Sequence, residues 1–218
     1  MELAFVLHAY LFWLGWCVLS STAHALALRL AQVRVRACRL FAGSTVASVT
    51  LGRIDFELGW VPLGTSVTYD VPTFWLRPVW MRVGVMLTGP AVLLPCAAAI
   101  LGPQAAWHHF AAGFMQLPLG ALHPLTTAQE LIARLHGVYL SSVPAAAAIL
   151  AAKLAALECL PLGGVAAAQV LLELVGHGDR DDDQIRGAWF LTLNVFVLIA
   201  LMACWGAAAV AYVLSAKP

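Results

Sequence analysis

Ser20, Ser21 and His24 fall within about one turn of the first apolar helix, and their spacing decides what chemistry they can do. Residues four apart share a helix face. Two imidazoles so placed can grip one Zn²⁺ while a Glu beside the first activates water. Here the pair is Ser20 and His24, with Ser21 in the position of the base, so one imidazole stands without a second ligand or a base. A lone neutral imidazole does not hold zinc against water. Ser20 as a nucleophile would need a positioned base and an oxyanion hole, of which His24 at i+4 supplies a fragment. Helix hydroxyls bonding back to carbonyls are the simpler reading.

The remaining polar residues are weighed the same way. Lys153 and Glu158 lie in or at the end of an apolar stretch, where a central charge costs about 2.5–3.5 kcal/mol and therefore needs a partner. Five positions on a helix turn them about 140° apart, so each faces a different neighbour. His8 precedes His24 by about 24 Å of helix and cannot share a site with it. His108, His109 and His123 read as interfacial anchors, and residues 179 and 181–183, all Asp, as a solvated acidic turn. Cys17, Cys38, Cys96, Cys159 and Cys204 form no C-x-x-C pair and read as small apolar packing.

The elements that must position these residues are membrane elements. Of 218 residues 62% are hydrophobic and 11% charged, against about 25% charged in soluble domains. Residues 3–30, 79–101 and 187–214 each pass the length of about 20 apolar residues that a bilayer core requires, and 138–160 makes a fourth window. The first run lacks a basic n-region and exceeds a signal h-region, so it reads as a retained helix. Arg29, Arg34, Arg36, Arg39, Arg53, Arg77 and Arg82 crowd the segment after the first span, whereas 102–137 carries only Arg134. The positive-inside rule makes the Arg-rich side cytoplasmic and puts both termini outside. A net charge of +1 gives no footprint for nucleic acid.

The expected organisation is a single integral membrane domain over 1–218. It comprises a transmembrane helix at 1–30, a cytoplasmic membrane-associated sheet at 33–70, a second span at 79–101 and an outer interfacial or re-entrant segment at 102–137. A third span with a Pro/Gly break and a short helix occupies 138–175, and a fourth span 187–214. Residues 34–36, 48–51, 54–58 and 65–69 alternate enough for short strands, punctuated by Gly43, Gly52, Gly59 and Gly64.

Several runs resemble the site-2 protease family of intramembrane zinc metalloproteases. After His24 come Leu28-Arg29 and Gln32-Val33-Arg34-Val35, similar to that family's Ala-Arg step and Gly-Val-x-Val strand. Leu40-Phe41-Ala42-Gly43 and Val61-Pro62-Leu63-Gly64 resemble its Phe-x-x-Gly and Pro-Leu-Gly-Gly elements. Arg77-Pro78-Val79-Trp80-Met81-Arg82 leading to Leu87-Thr88-Gly89-Pro90 resembles its basic-Pro-x-x-x-Arg entry and Leu-Ala-Gly-Pro helix start, with Leu93 where an Asn is usual. The third family motif aligns through Pro161, which sets Ala166, or with a gap Gly163, where the zinc-binding Asp should stand.

The resemblance implies an α-helical polytopic protein with about four transmembrane helices, a small cytoplasmic sheet and a site-2 protease-like core whose chemistry is gone. Ser20, Ser21, His24 and Ala166 then occupy degenerate catalytic positions, with no metal and no cofactor expected. It also brings Glu158 to the depth of His24, as a buried polar pair. What survives is binding: a partner membrane protein or transmembrane helix held along Gly89, Pro90, Pro161, Gly163, Gly164 and Ala167, in a bilayer expected to be the bacterial inner membrane. The chain would be a subunit, chaperone or regulator. The rivals are an active zinc metalloprotease with a divergent metal site and a structural subunit of a membrane complex.

Overall fold

The computed structural model describes residues 2–160, residue 170 and residues 181–215. Its contacts gather into two compact units, one of residues 14–92 and one of residues 1–13 with 93–218. The elements in chain order are helix α1 (Glu2–Leu30), strands β1 (Val35–Leu51) and β2 (Ile54–Tyr69), and helices α2 (Val71–Trp75), α3 (Val79–Met86), α4 (Thr88–Leu101), α5 (Pro103–Leu122), α6 (Thr127–Ser141), α7 (Val143–Glu158) and α8 (Asp181–Ser215).

In the unit of residues 14–92, α1 ends where the sequence gives it a C-terminal stop. Gln32 adopts φ 57°, the Val33 N–H reaches back to the Leu28 carbonyl at 2.8 Å and the Gln32 N–H to that of Arg29 at 2.9 Å. This is a Schellman cap, and its hydrophobic contact is the fully buried pair Leu28 and Val33. Arg29 in the last turn suits the negative end of the helix dipole. Arg77 then donates to the Gln32 carbonyl at 2.9 Å and ties the exit to the segment before α3.

The four short strands expected from the pattern are two long ones, paired antiparallel and bent. They meet at a two-residue turn, Gly52-Arg53, where Gly52 takes φ 69°. Bends at Phe41 (φ 71°), Gly43 (φ 86°) and Gly64 (φ 65°) let the strands fold back instead of ending. Residues 37–40 consequently have ladder neighbours on both sides, 65–68 and 55–58, whereas residues 45–51 pair on one side with 54–59. At the fold-back, a Cβ on Gly59 would sit 2.2 Å from the Ala42 carbonyl oxygen, so only glycine permits the approach. Asp70 leaves the sheet and caps α2, accepting from the Thr73 backbone at 3.3 Å and from its hydroxyl, and pairing with Arg36.

In the other unit, α5 packs on α6, α7 and α8, and α6 on α7 and α8. Small residues permit this: a Cβ on Gly113 would lie 2.5 Å from that of Ala156, and α7 buries a run of alanines. Phe5 closes the core with Ala128, Ile132 and Ala208, and stacks on His136 at 4.5 Å. His8 shares a 2.7 Å hydrogen bond with the Tyr139 hydroxyl, so it is a satisfied bundle residue.

Two helices are long and apolar enough to cross a membrane, Glu2–Leu30 and Val195–Ser215, or up to three if the bent pair Val79–Met86 and Thr88–Leu101 is one crossing. The four-span, site-2 protease-like core is corrected accordingly among the described residues. The pair bends by 47° because Pro90 has no N–H to give the Met86 carbonyl. The window 138–160 is divided at Ser142, which has extended dihedrals and caps α7 through the Ala145 N–H, and Pro144 follows within the first turn. That leaves α7 with 16 residues, short of the roughly 20 a crossing needs. Residues 102–137 are mainly the helices α5 and α6, and residues 181–183 begin α8 instead of forming a turn. The short helix expected near 165–175 lies outside the described residues.

Candidate functional site

The C-terminal half of α1 carries Ser21, Thr22, Ala25, Leu26 and Arg29 on one face, at the i, i+4 and i+8 repeat of a helix. Opposite them stands the bent sheet, and the two enclose a groove of about 630 Å³. Its walls are largely apolar, with Val18, Leu26, Leu40, Val49, Phe56 and Leu58 among them.

Ser21 and His24 have structural partners. The Ser21 hydroxyl bonds that of Thr65, which donates in turn to the Cys17 carbonyl at 3.1 Å. Helix and sheet are thereby stitched through Ser21. Thr22 bonds back to the Val18 carbonyl at 2.7 Å, the behaviour expected of helix hydroxyls, and Ser20 is buried. His24 Nδ1 donates to the Val85 carbonyl at 3.1 Å, an acceptor it shares with the Thr88 hydroxyl at 2.8 Å. A carbonyl can only accept, so the proton sits on Nδ1 and the lone pair on Nε2. The Tyr69 ring lies 6.3 Å away, its phenol pushed up by burial. Among the described residues no three His, Cys, Asp or Glu gather as a metal set.

One ion pair lines the groove. Arg39 donates through Nε to Glu57 at 2.7 Å, and also reaches the Gly43 carbonyl and the Thr45 hydroxyl. Burial pushes the Cys38 thiol up despite nearby Arg29, so it is a protonated thiol, not a nucleophile. Sequence reasoning missed Thr65, Val85 and the Arg39–Glu57 pair. A flat hairpin centred on Gly52-Arg53 sets Glu57 opposite Ser48, and Arg39 meets it only because β1 folds back.

Of the expected partner-binding residues, Gly89 and Pro90 are buried at the start of α4. Pro161, Gly163, Gly164, Ala166 and Ala167 lie outside the described residues. Glu158 closes α7 in the other compact unit, and His24 takes its acceptor from within its own.

No family model matches the chain, and no curated protein matches it.

Proposed function

We propose that this chain is a non-catalytic integral membrane protein that holds an extended segment of a partner membrane protein against its sheet. The observation that carries this is the edge at residues 45–51. Among the described residues it pairs on one side only, and its sequence Thr-Val-Ala-Ser-Val-Thr-Leu holds no charge and no proline. Soluble and membrane proteins alike guard such edges, because a row of unpaired N–H and C=O groups recruits another strand. Here Val46 and Val49 are 67% and 59% exposed on it, with Trp60 at 66% nearby. Backbone pairing supplies affinity and alternate side chains reaching the groove supply selection, which is strand addition. The Ser21–Thr65 and His24–Val85 bonds support a scaffold role, since both spend on architecture the groups a reaction would use.

Photo-crosslinkers placed singly at residues 45–51 in native membranes test the reading. One partner captured at alternate positions, and lost on Val49→Pro but kept on His24→Ala, is the expected result. Uniform or absent crosslinking sinks it, and one equivalent of tightly held zinc lost on His24→Ala would favour the metalloprotease rival instead.

A further inference from the structure

Lys153 remains unabsorbed by that reading. Its Nζ donates to Gln116 Oε1 across the α5–α7 contact. An ammonium carries three donors, and Gln116 is the acceptor it has among the described residues. Both side chains border a cleft of about 450 Å³ between α5, α6, α7 and α8, within the roughly 300–1,000 Å³ of small-ligand pockets.

The cleft has two kinds of wall. His109 and Gln116, seven apart and so on one face of α5, stand with Lys153 of α7 as the polar part. Gly113 lies between them, where even a methyl would come within 3.5 Å of the Lys153 stem. His108 borders it too, and most of the remainder is apolar, including Leu131, Leu135, Ile149, Leu154, Leu201 and Trp205. Arg134 adds a second cation, mostly exposed and beside Glu130 of its own helix. No acidic side chain lines the cleft among the described residues.

A free inorganic anion would leave the apolar wall uncovered, and a neutral hydrocarbon would leave the ammonium without a counter-charge in a low-dielectric place. Only a molecule with both parts satisfies both walls. We infer that this cleft binds a single-chain anionic amphiphile, its carboxylate or phosphate head on Lys153 and His109 and its chain along the leucine wall. Basic pockets between membrane helices take acidic headgroups by the same electrostatics. The site is independent of the groove beside α1, so either assignment stands if the other fails.

Full-length protein in phosphatidylcholine nanodiscs, titrated with dodecanoate, dodecyl phosphate, dodecanol or acetate and read by native mass spectrometry, tests the inference. One or both anionic amphiphiles bind stoichiometrically while dodecanol and acetate do not, and which head is preferred assigns carboxylate or phosphate. Lys153→Met weakens binding at least about tenfold, as losing one charged hydrogen bond implies, and Lys153→Arg restores it. Ala112→Phe fills the cleft with the charge intact and blocks binding while the thermal melt is kept. Equal uptake of dodecanol and dodecanoate, binding of neither anion, or undiminished binding by Lys153→Met overturns it.

Discussion

Trp205 occupies the space that Gly120 leaves empty. A Cβ at Gly120 would lie 2.3 Å from the indole Cζ2, and the indole N–H donates to the Leu117 carbonyl three residues earlier at 3.0 Å. The ring is thus held at one end by a hydrogen bond and admitted at the other by a missing side chain.

Gly120→Ala should therefore destabilise the α5–α8 contact by about 1–3 kcal/mol, the usual cost of overpacking. Gly137→Ala on α6 is the control: among the described residues nothing lies within 4 Å of that Cβ, and removing a helical glycine gains up to about 1 kcal/mol. Thermal unfolding in one detergent compares them. Equal loss in both variants would mean that glycine flexibility matters here, not close approach.

At the end of α1, Gln32 holds φ 57° with a side chain that suffers there. Gln32→Gly should stabilise by about 0.5–1 kcal/mol and Gln32→Val should destabilise, since a β-branched residue resists the left-handed region. Both are read in chemical denaturation. A destabilising glycine would show that the Gln side chain contributes more than the cap geometry.

Asp70 sets a pH dependence. Bonds from Thr73 and Arg36 hold its carboxyl below the ordinary range. The unfolded chain then takes up the proton at higher pH than the native one, so the stabilisation is present above about pH 3.9 and fades as pH falls through the lower native value. Asp70→Asn should lower the melting temperature at neutral pH and close the gap to the parent in acid. A gap that widens on acidification would contradict the capping role.

Topology is separable from all of these. With seven arginines gathered from Arg29 to Arg82, a cysteine at Ser66 in otherwise cysteine-free protein should react with an impermeant maleimide only from the cytoplasmic side. Labelling from outside would invert the proposed orientation.

Sequence made the first helix and the sheet legible for a local reason. The apolar run stops at Arg29, and the glycines at 43, 52, 59 and 64 announce turns within a Val- and Thr-rich stretch. Whether a glycine ends a strand or bends it is settled by what lies across the sheet. Gly59 shows this, since its need for space comes from the Ala42 carbonyl on a folded-back strand. The break at Ser142 was also written locally, as an N-cap residue two before Pro144, but the apolar residues on both sides outweighed it in a hydropathy reading. The Ser21–Thr65 and His24–Val85 bonds were out of reach, because they join positions 44 and 61 residues apart whose meeting depends on the path between them.

The bond between His8 and Tyr139 spans 131 residues. During synthesis at about 5–20 residues per second, the N-terminal turns of α1 therefore wait on the order of 10 s for α6, and longer for Ala208 and Tyr212 to close over Phe5. Through that interval the half-made chain presents His8 and Phe5 to whatever surrounds the ribosome exit and the insertion machinery. A chain released early, before α8, would keep its sheet and lose the far wall of its first helix, which makes α8 a checkpoint on α1.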